Sequence, residues 1–105
     1  MTNYTVTINI DHEVESHWFD WMRNQHIPDV LATKLFSECI ILKAIEPEEE
    51  GKSTYSFLYM CESDEELNLY LAEHATRLRD EHTALFKGRF TASRSISEVL
   101  DVKRH

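Results

Sequence analysis

Residues 4–28 read YTVTINIDHEVESHWFDWMRNQHIP, and within them the apolar period changes from two to about 3.6. Tyr4, Val6, Ile8 and Ile10 alternate with Thr5, Thr7 and Asn9, which describes a strand with one apolar and one hydroxyl-rich face. From Glu13 the spacing becomes helical, with Val14, Trp18, Trp21 and Gln25 on one narrow stripe flanked by Met22. Asp11 stands between the two patterns as an expected N-cap. At the far end, Pro28 disfavours helical geometry at Ile27, so a break at His26–Ile27 and a new short turn from Pro28 to Thr33 are expected.

The rest of the chain repeats this alternation. Phe36–Glu46 (FSECIILKAIE) and Thr54–Cys61 (TYSFLYMC) read as strands joined by the loop PEEEGKS. Ser63 with Glu66 forms a capping-box pattern at the head of a second helix, expected to run unbroken to about Phe86. On it, Leu67, Leu71, His74, Leu78 and Leu85 share a narrow stripe, acidic residues crowd the start, and Gly88 suits the position after the end. Phe90–Leu100 is the last strand, with Thr91, Ser93, Ser95 and Ser97 on one face. The order β-α-β-β-α-β predicts an α+β, ferredoxin-like fold, one domain over residues 1–105, with both helices on one face of a four-stranded antiparallel sheet.

Two helices leave the other face bare. Strand three has Tyr55, Phe57 and Tyr59 on one side and Leu58 and Met60 on the other. In strand two, Phe36, Ile40, Leu42 and Ala44 are expected on the helix side, which leaves Cys39, Ile41 and Ile45 for the bare face. Central strands that are apolar on both faces predict a covered second face, and a homodimer packing sheet against sheet is the expected cover.

Several function classes are disfavoured. With 11 Lys+Arg against 19 Asp+Glu, the net charge is −8, which opposes general binding to nucleic acid or anionic membranes. No stretch reaches the length of a membrane span, and no secretory leader is visible, so a cytoplasmic protein is expected. The two cysteines, Cys39 and Cys61, are expected to be free thiols, although a hairpin centred near residue 50 would place them opposite each other. The six histidines include no helical metal-binding spacing, and no nucleophile motif or phosphate loop is present, so neither a metal nor a cofactor is expected.

The segments NYTVTINID, HWFDWMRNQHIPDVLAT, YSFLYMCES and LYLAEHATRLRDEHTALFKGRF resemble an uncharacterised bacterial family, the domain of unknown function 4286. That family looks like part of the dimeric α+β barrel superfamily, so the resemblance implies two ferredoxin-like units joining their sheets into one barrel. The superfamily includes monooxygenases, isomerases, haem-degrading enzymes and plain binding proteins, and fold alone does not choose among them. The residues themselves suggest His74, on the apolar stripe, as a polar group between helix and sheet and the candidate general base. Trp21, His26 and Tyr70 join it as candidate lining residues for a small, mostly apolar molecule. Two alternatives stand beside this binding role: a structural or regulatory dimer module, or a cofactor-independent oxygenase or isomerase.

Overall fold

A computed structural model describes residues 1–105. Strands β1 (Thr2–Asp11), β2 (Glu38–Lys43), β3 (Lys52–Cys61) and β4 (Phe90–Glu98) form one antiparallel sheet in the order β2-β3-β1-β4. With helices after β1 and β3, this is the ferredoxin-like arrangement predicted from the element order. The register pairs Tyr4 with Tyr59, Val6 with Phe57 and Ile8 with Tyr55, so odd positions of β3 and even positions of β1 share the helix-facing side. On that side Ile10, Phe57, Trp18, Met22, Val30, Leu67 and Leu78 are essentially fully buried, within one continuous cluster of 17 side chains. No helix is long and apolar enough to cross a membrane.

The first helical segment departs from the expected break. Helix α1 (Glu15–Trp21) runs through one wide π turn (Met22–His26) directly into α2 (Ile27–Ala32). Ile27 keeps right-handed helical geometry, at φ −60° and ψ −46°, despite Pro28 after it. Its N–H bonds to the Met22 carbonyl five residues back, so the chain absorbs one extra residue where proline supplies no donor. The consequence is a change of phase. An unbroken α-helix would turn Gln25 inward beneath Trp18 and Trp21; instead Gln25 is exposed, while His26 and Ile27 point into the protein.

The second long helix also slips. His74 has φ −125° and interrupts it, leaving α3 (Asp64–Glu73) and α4 (Ala75–Phe86). Ala75, Leu78, His82 and Phe86 then form the buried face of α4, and Leu85 is left 58% exposed. Of the expected stripe, Leu67 and Leu78 are buried, whereas His74 marks the break and Leu85 turns out to solvent.

Smaller expectations change for local reasons. Asp11 caps no helix and instead receives Arg89 at 2.9 Å, with Lys52 at 3.9 Å. Ser63 makes no side-chain cap, and Glu66 accepts from the Glu62 N–H at 3.3 Å. Strand β2 is shorter than expected, because Phe36 lies ahead of it and turns into the core against Tyr4, Tyr59 and Tyr70. The sides of β2 are the reverse of those expected: Cys39 and Ile41 face the helices opposite Tyr59 and Phe57, and Ile40 and Leu42 lie on the open side. Cys39 opposes Tyr59 and not Cys61, so the cross-strand thiol pair does not form and both cysteines are free.

The open side of the sheet divides into the expected apolar and polar halves, with Ile40 and Leu42 as its β2 members. Ile40, Leu42, Leu58 and Met60 make an apolar half, with Ile40 39% and Leu42 49% exposed. Thr5, Thr7, Asn9, Ser93, Ser95 and Ser97 make a polar half. Part of the polar half is closed by the β2–β3 loop: Asn9 donates to Glu48 at 3.1 Å, and Thr91 to Glu49 at 2.9 Å.

Candidate functional site

Between the helices and the sheet lies a small cavity whose walls come from β1, β3, β4, the π turn, α2, α3 and α4. His26 and Tyr70, two of the expected lining residues, are on its wall. Its enclosed part is about 30 Å³, room for one or two waters. Counting the cleft in front of it, the empty space is about 350 Å³. The floor is apolar, made by Met22, Val30 and Phe57, and the polar atoms are phenols, two guanidiniums and one imidazole.

His26 owes its place to the π turn. Its Nδ1 is buried and has no hydrogen-bond partner. A buried nitrogen left unpaired costs on the order of 1–3 kcal/mol, so a purely structural position would rarely keep it. Burial pushes the imidazole pKa down to about 4; the Asp29 carboxylate opposes this and Arg94 adds to it. At neutral pH His26 is therefore an uncharged imidazole.

His82 stands behind it, with ring centroids 6.0 Å apart. The Trp18 indole N–H donates to His82 Nε2 at 2.9 Å, and both side chains are buried. That bond makes Nε2 an acceptor, which assigns the proton of neutral His82 to Nδ1. Protonating Nε2 would set two N–H groups against each other. Burial, then His26 and Arg94, bring the His82 pKa down to about 4. Trp21 packs on both rings, 5.3 Å from His26 and 5.8 Å from His82, so it shapes the histidine pair from outside the cavity wall.

His74 does not join this group. It caps the interruption between α3 and α4 and faces a separate open groove with Asp29, Thr33 and Arg77. Arg77 lies 3.3 Å from its Nδ1, and the Tyr70 ring is 6.3 Å away on the inner side. The stripe that placed His74 at the sheet assumed an unbroken helix, and the break delivers His82 to the interior instead. His82 stands four residues after the buried Leu78, so helical spacing from that member of the stripe could have found it.

Two residues that the sequence reading did not single out, Arg79 and Arg94, also line the cavity. Arg79 donates to the Tyr4 hydroxyl at 2.7 Å. Arg94 pairs in register with Val6 on β4, the strand the helices leave uncovered. Burial raises the Tyr70 pKa to about 12 and pushes Tyr59 up further, so both phenols remain protonated. The site thus holds neutral imidazoles, protonated phenols and two permanent cations, without an acidic residue on its wall.

The model of the domain of unknown function DUF4286 matches residues 1–100. The chain belongs to the DUF4286 family. No curated protein matches the sequence. Among solved structures, this DUF4286 chain is similar to the Arabidopsis thaliana protein At3g17210, with a TM-score of 0.69 at 13% identity over 99% of this chain and 100% of that one. An antibiotic biosynthesis monooxygenase gives a TM-score of 0.66 at 14% identity, over 96% and 100%. A dimeric ferredoxin-like protein from an uncultured marine organism gives 0.66 at 12% identity, over the whole of both chains. At these identities the likeness concerns fold.

Proposed function

We propose that the protein is a small homodimer that binds a small, mostly apolar molecule between its helices and its sheet, in the cavity walled by His26 and Tyr70. The observation that carries this reading is the unpartnered, buried Nδ1 of His26, placed on the cavity wall by a π turn. Such turns often mark functional positions. Aromatic walls with a few converging polar groups suit small-molecule recognition. The enclosed volume of about 30 Å³ means that a ligand enters by parting the cleft on the β4 side, where Arg94 is exposed.

The dimer reading rests on the half-exposed Ile40 and Leu42 beside Leu58 and Met60, an apolar patch on the face opposite the helices. One similar structure is of a dimeric protein with this fold. Light scattering at micromolar concentration is expected to give twice the 12.4 kDa chain mass, and a value near 12.4 kDa would remove the dimer.

An enzymatic version has its own support. His26 is an uncharged imidazole with a free nitrogen, and beside fixed cations it is equipped to take a proton from a bound molecule. In that version His26, and not His74, is the general base.

The test is protein purified from its own cells, examined by mass spectrometry and absorbance for a bound small molecule, alongside His26→Leu. The expected result is a co-purifying molecule that His26→Leu loses while keeping its melting temperature. A variant that gains stability, from a protein that carries nothing, would make His26 an ordinary interior residue and the chain a structural module.

A further inference from the structure

The cavity wall of this acidic protein carries two cations and no carboxylate. Lys43, Lys52, Arg89 and Lys103 each meet a carboxylate within 4.0 Å. The other seven of the 11 cations meet none, Arg79 and Arg94 among them. Both line the same cavity, and Arg79 is held there by its bond to Tyr4.

Apart from the His26 imidazole, the polar groups of the wall are chiefly donors. A guanidinium has only donors. The Tyr4 hydroxyl already accepts from Arg79, and its own proton goes to no protein acceptor. The Tyr70 hydroxyl makes no protein hydrogen bond and stays protonated. Against these donors the wall offers no carboxylate, amide or backbone-rich loop. An ionised carboxylate is the complement: acceptor-only, with about four lone-pair sites and a shape matched to a guanidinium fork. Behind the donors, Met22, Val30 and Phe57 form an apolar floor that a bare inorganic ion would leave unused.

We propose that Arg79 and Arg94, with the hydroxyls of Tyr4 and Tyr70, form the head-group site of this cavity, and that the molecule it takes is a small organic carboxylate with an apolar body. This rests on the reading of the cavity as a ligand site and adds the chemical class. The carboxylate lies across the two guanidiniums at the β4 edge, and the apolar body points inward over Met22, Val30 and Phe57.

The test uses benzoate and octanoate with their neutral amides, and inorganic phosphate, titrated into the full-length protein by calorimetry and by NMR of the His26 and Tyr70 rings. The acids are expected to bind at least about tenfold more tightly than the amides, as charge-assisted hydrogen bonds imply. Arg94→Gln, on an exposed strand position, is expected to keep the melting temperature and to weaken the acids about tenfold while leaving the amides unchanged. Equal binding of acids and amides, insensitive to Arg94→Gln, overturns the carboxylate assignment and leaves the cavity reading standing. Phosphate that binds as tightly as benzoate and displaces it also overturns the assignment, since the apolar body then contributes nothing. No binding by any acid or amide, with the His26 ring unmoved, overturns both.

Discussion

The histidine pair makes a prediction that can be worked through from one hydrogen bond. His82 is 5% exposed and accepts the Trp18 indole N–H, so its charged form is excluded both by burial and by a donor already in place. The unfolded chain has neither constraint. Between pH 6.5 and about 4 the unfolded state binds a proton at this residue that the folded state refuses. Stability then rises with pH by about 1.4 kcal/mol per unit for each such group. For His82 the contribution is complete above pH 6.5 and is lost as pH falls to about 4. Over that window the loss amounts to about 3 kcal/mol. His82→Gln is the informative variant, because its amide oxygen can still accept from Trp18 but does not titrate. Urea denaturation of both proteins at pH 7.5 and 4.5 isolates the effect. The falling negative charge and the carboxylates contribute alike to both proteins, so the difference belongs to His82. The variant is expected to gain on the wild type by about 3 kcal/mol on going to pH 4.5. A difference that is the same at the two pH values would refute the assignment of His82 as a buried neutral imidazole.

Glu15 tests the opposite sign. Burial alone would raise its pKa, but hydrogen bonds from Ser53, Tyr55 and Lys43 outweigh this and bring it to about 2. Its stabilisation is present above about pH 4.5 and fades as pH falls towards 2, so Glu15→Gln should cost about 1 kcal/mol at pH 7 and progressively less on acidification, as urea melts will show. Cys39, whose thiol is pushed up to about 11 by burial with some relief from Tyr59, should react with an aromatic disulfide reagent at pH 8 about a hundredfold more slowly than free cysteine. Oxidised glutathione should leave Cys39 and Cys61 unlinked, as intact mass spectrometry can verify. Gly51 has φ +79° with open space around an added methyl group, so Gly51→Ala should lower stability by about 1 kcal/mol through backbone strain alone, read from thermal melting.

Much of the architecture was legible because it depends on local periodicity. The alternation from Tyr4 to Ile10, the Trp18–Trp21 stripe, the paired strands around PEEEGKS and the hydroxyls of β4 each need only a few neighbouring residues to be read. The site was less legible, and the reason is phase. His26 and Tyr70 were found, the former through its position before Pro28, but His74 was misplaced and His82 was not singled out. Both misses follow from the interruption at His74, just as the outward turn of Gln25 follows from the π turn at Met22–His26. Periodicity identifies a helix well, yet it carries no record of where packing against the sheet makes the helix skip a residue.

The amino-acid sequence by itself determined the element order, the acidic surface, the apolar half of the open sheet face and the membership of the DUF4286 family. It could not determine which histidine meets which, nor that Arg79 on α4 and Arg94 on β4 share one cavity. Those residues stand on elements that touch only after the sheet has ordered itself as β2-β3-β1-β4. Side chains far apart in the chain acquire a common chemistry only when the fold closes around them. Here that closure leaves an unpartnered imidazole, two unpaired cations and an apolar floor in one place.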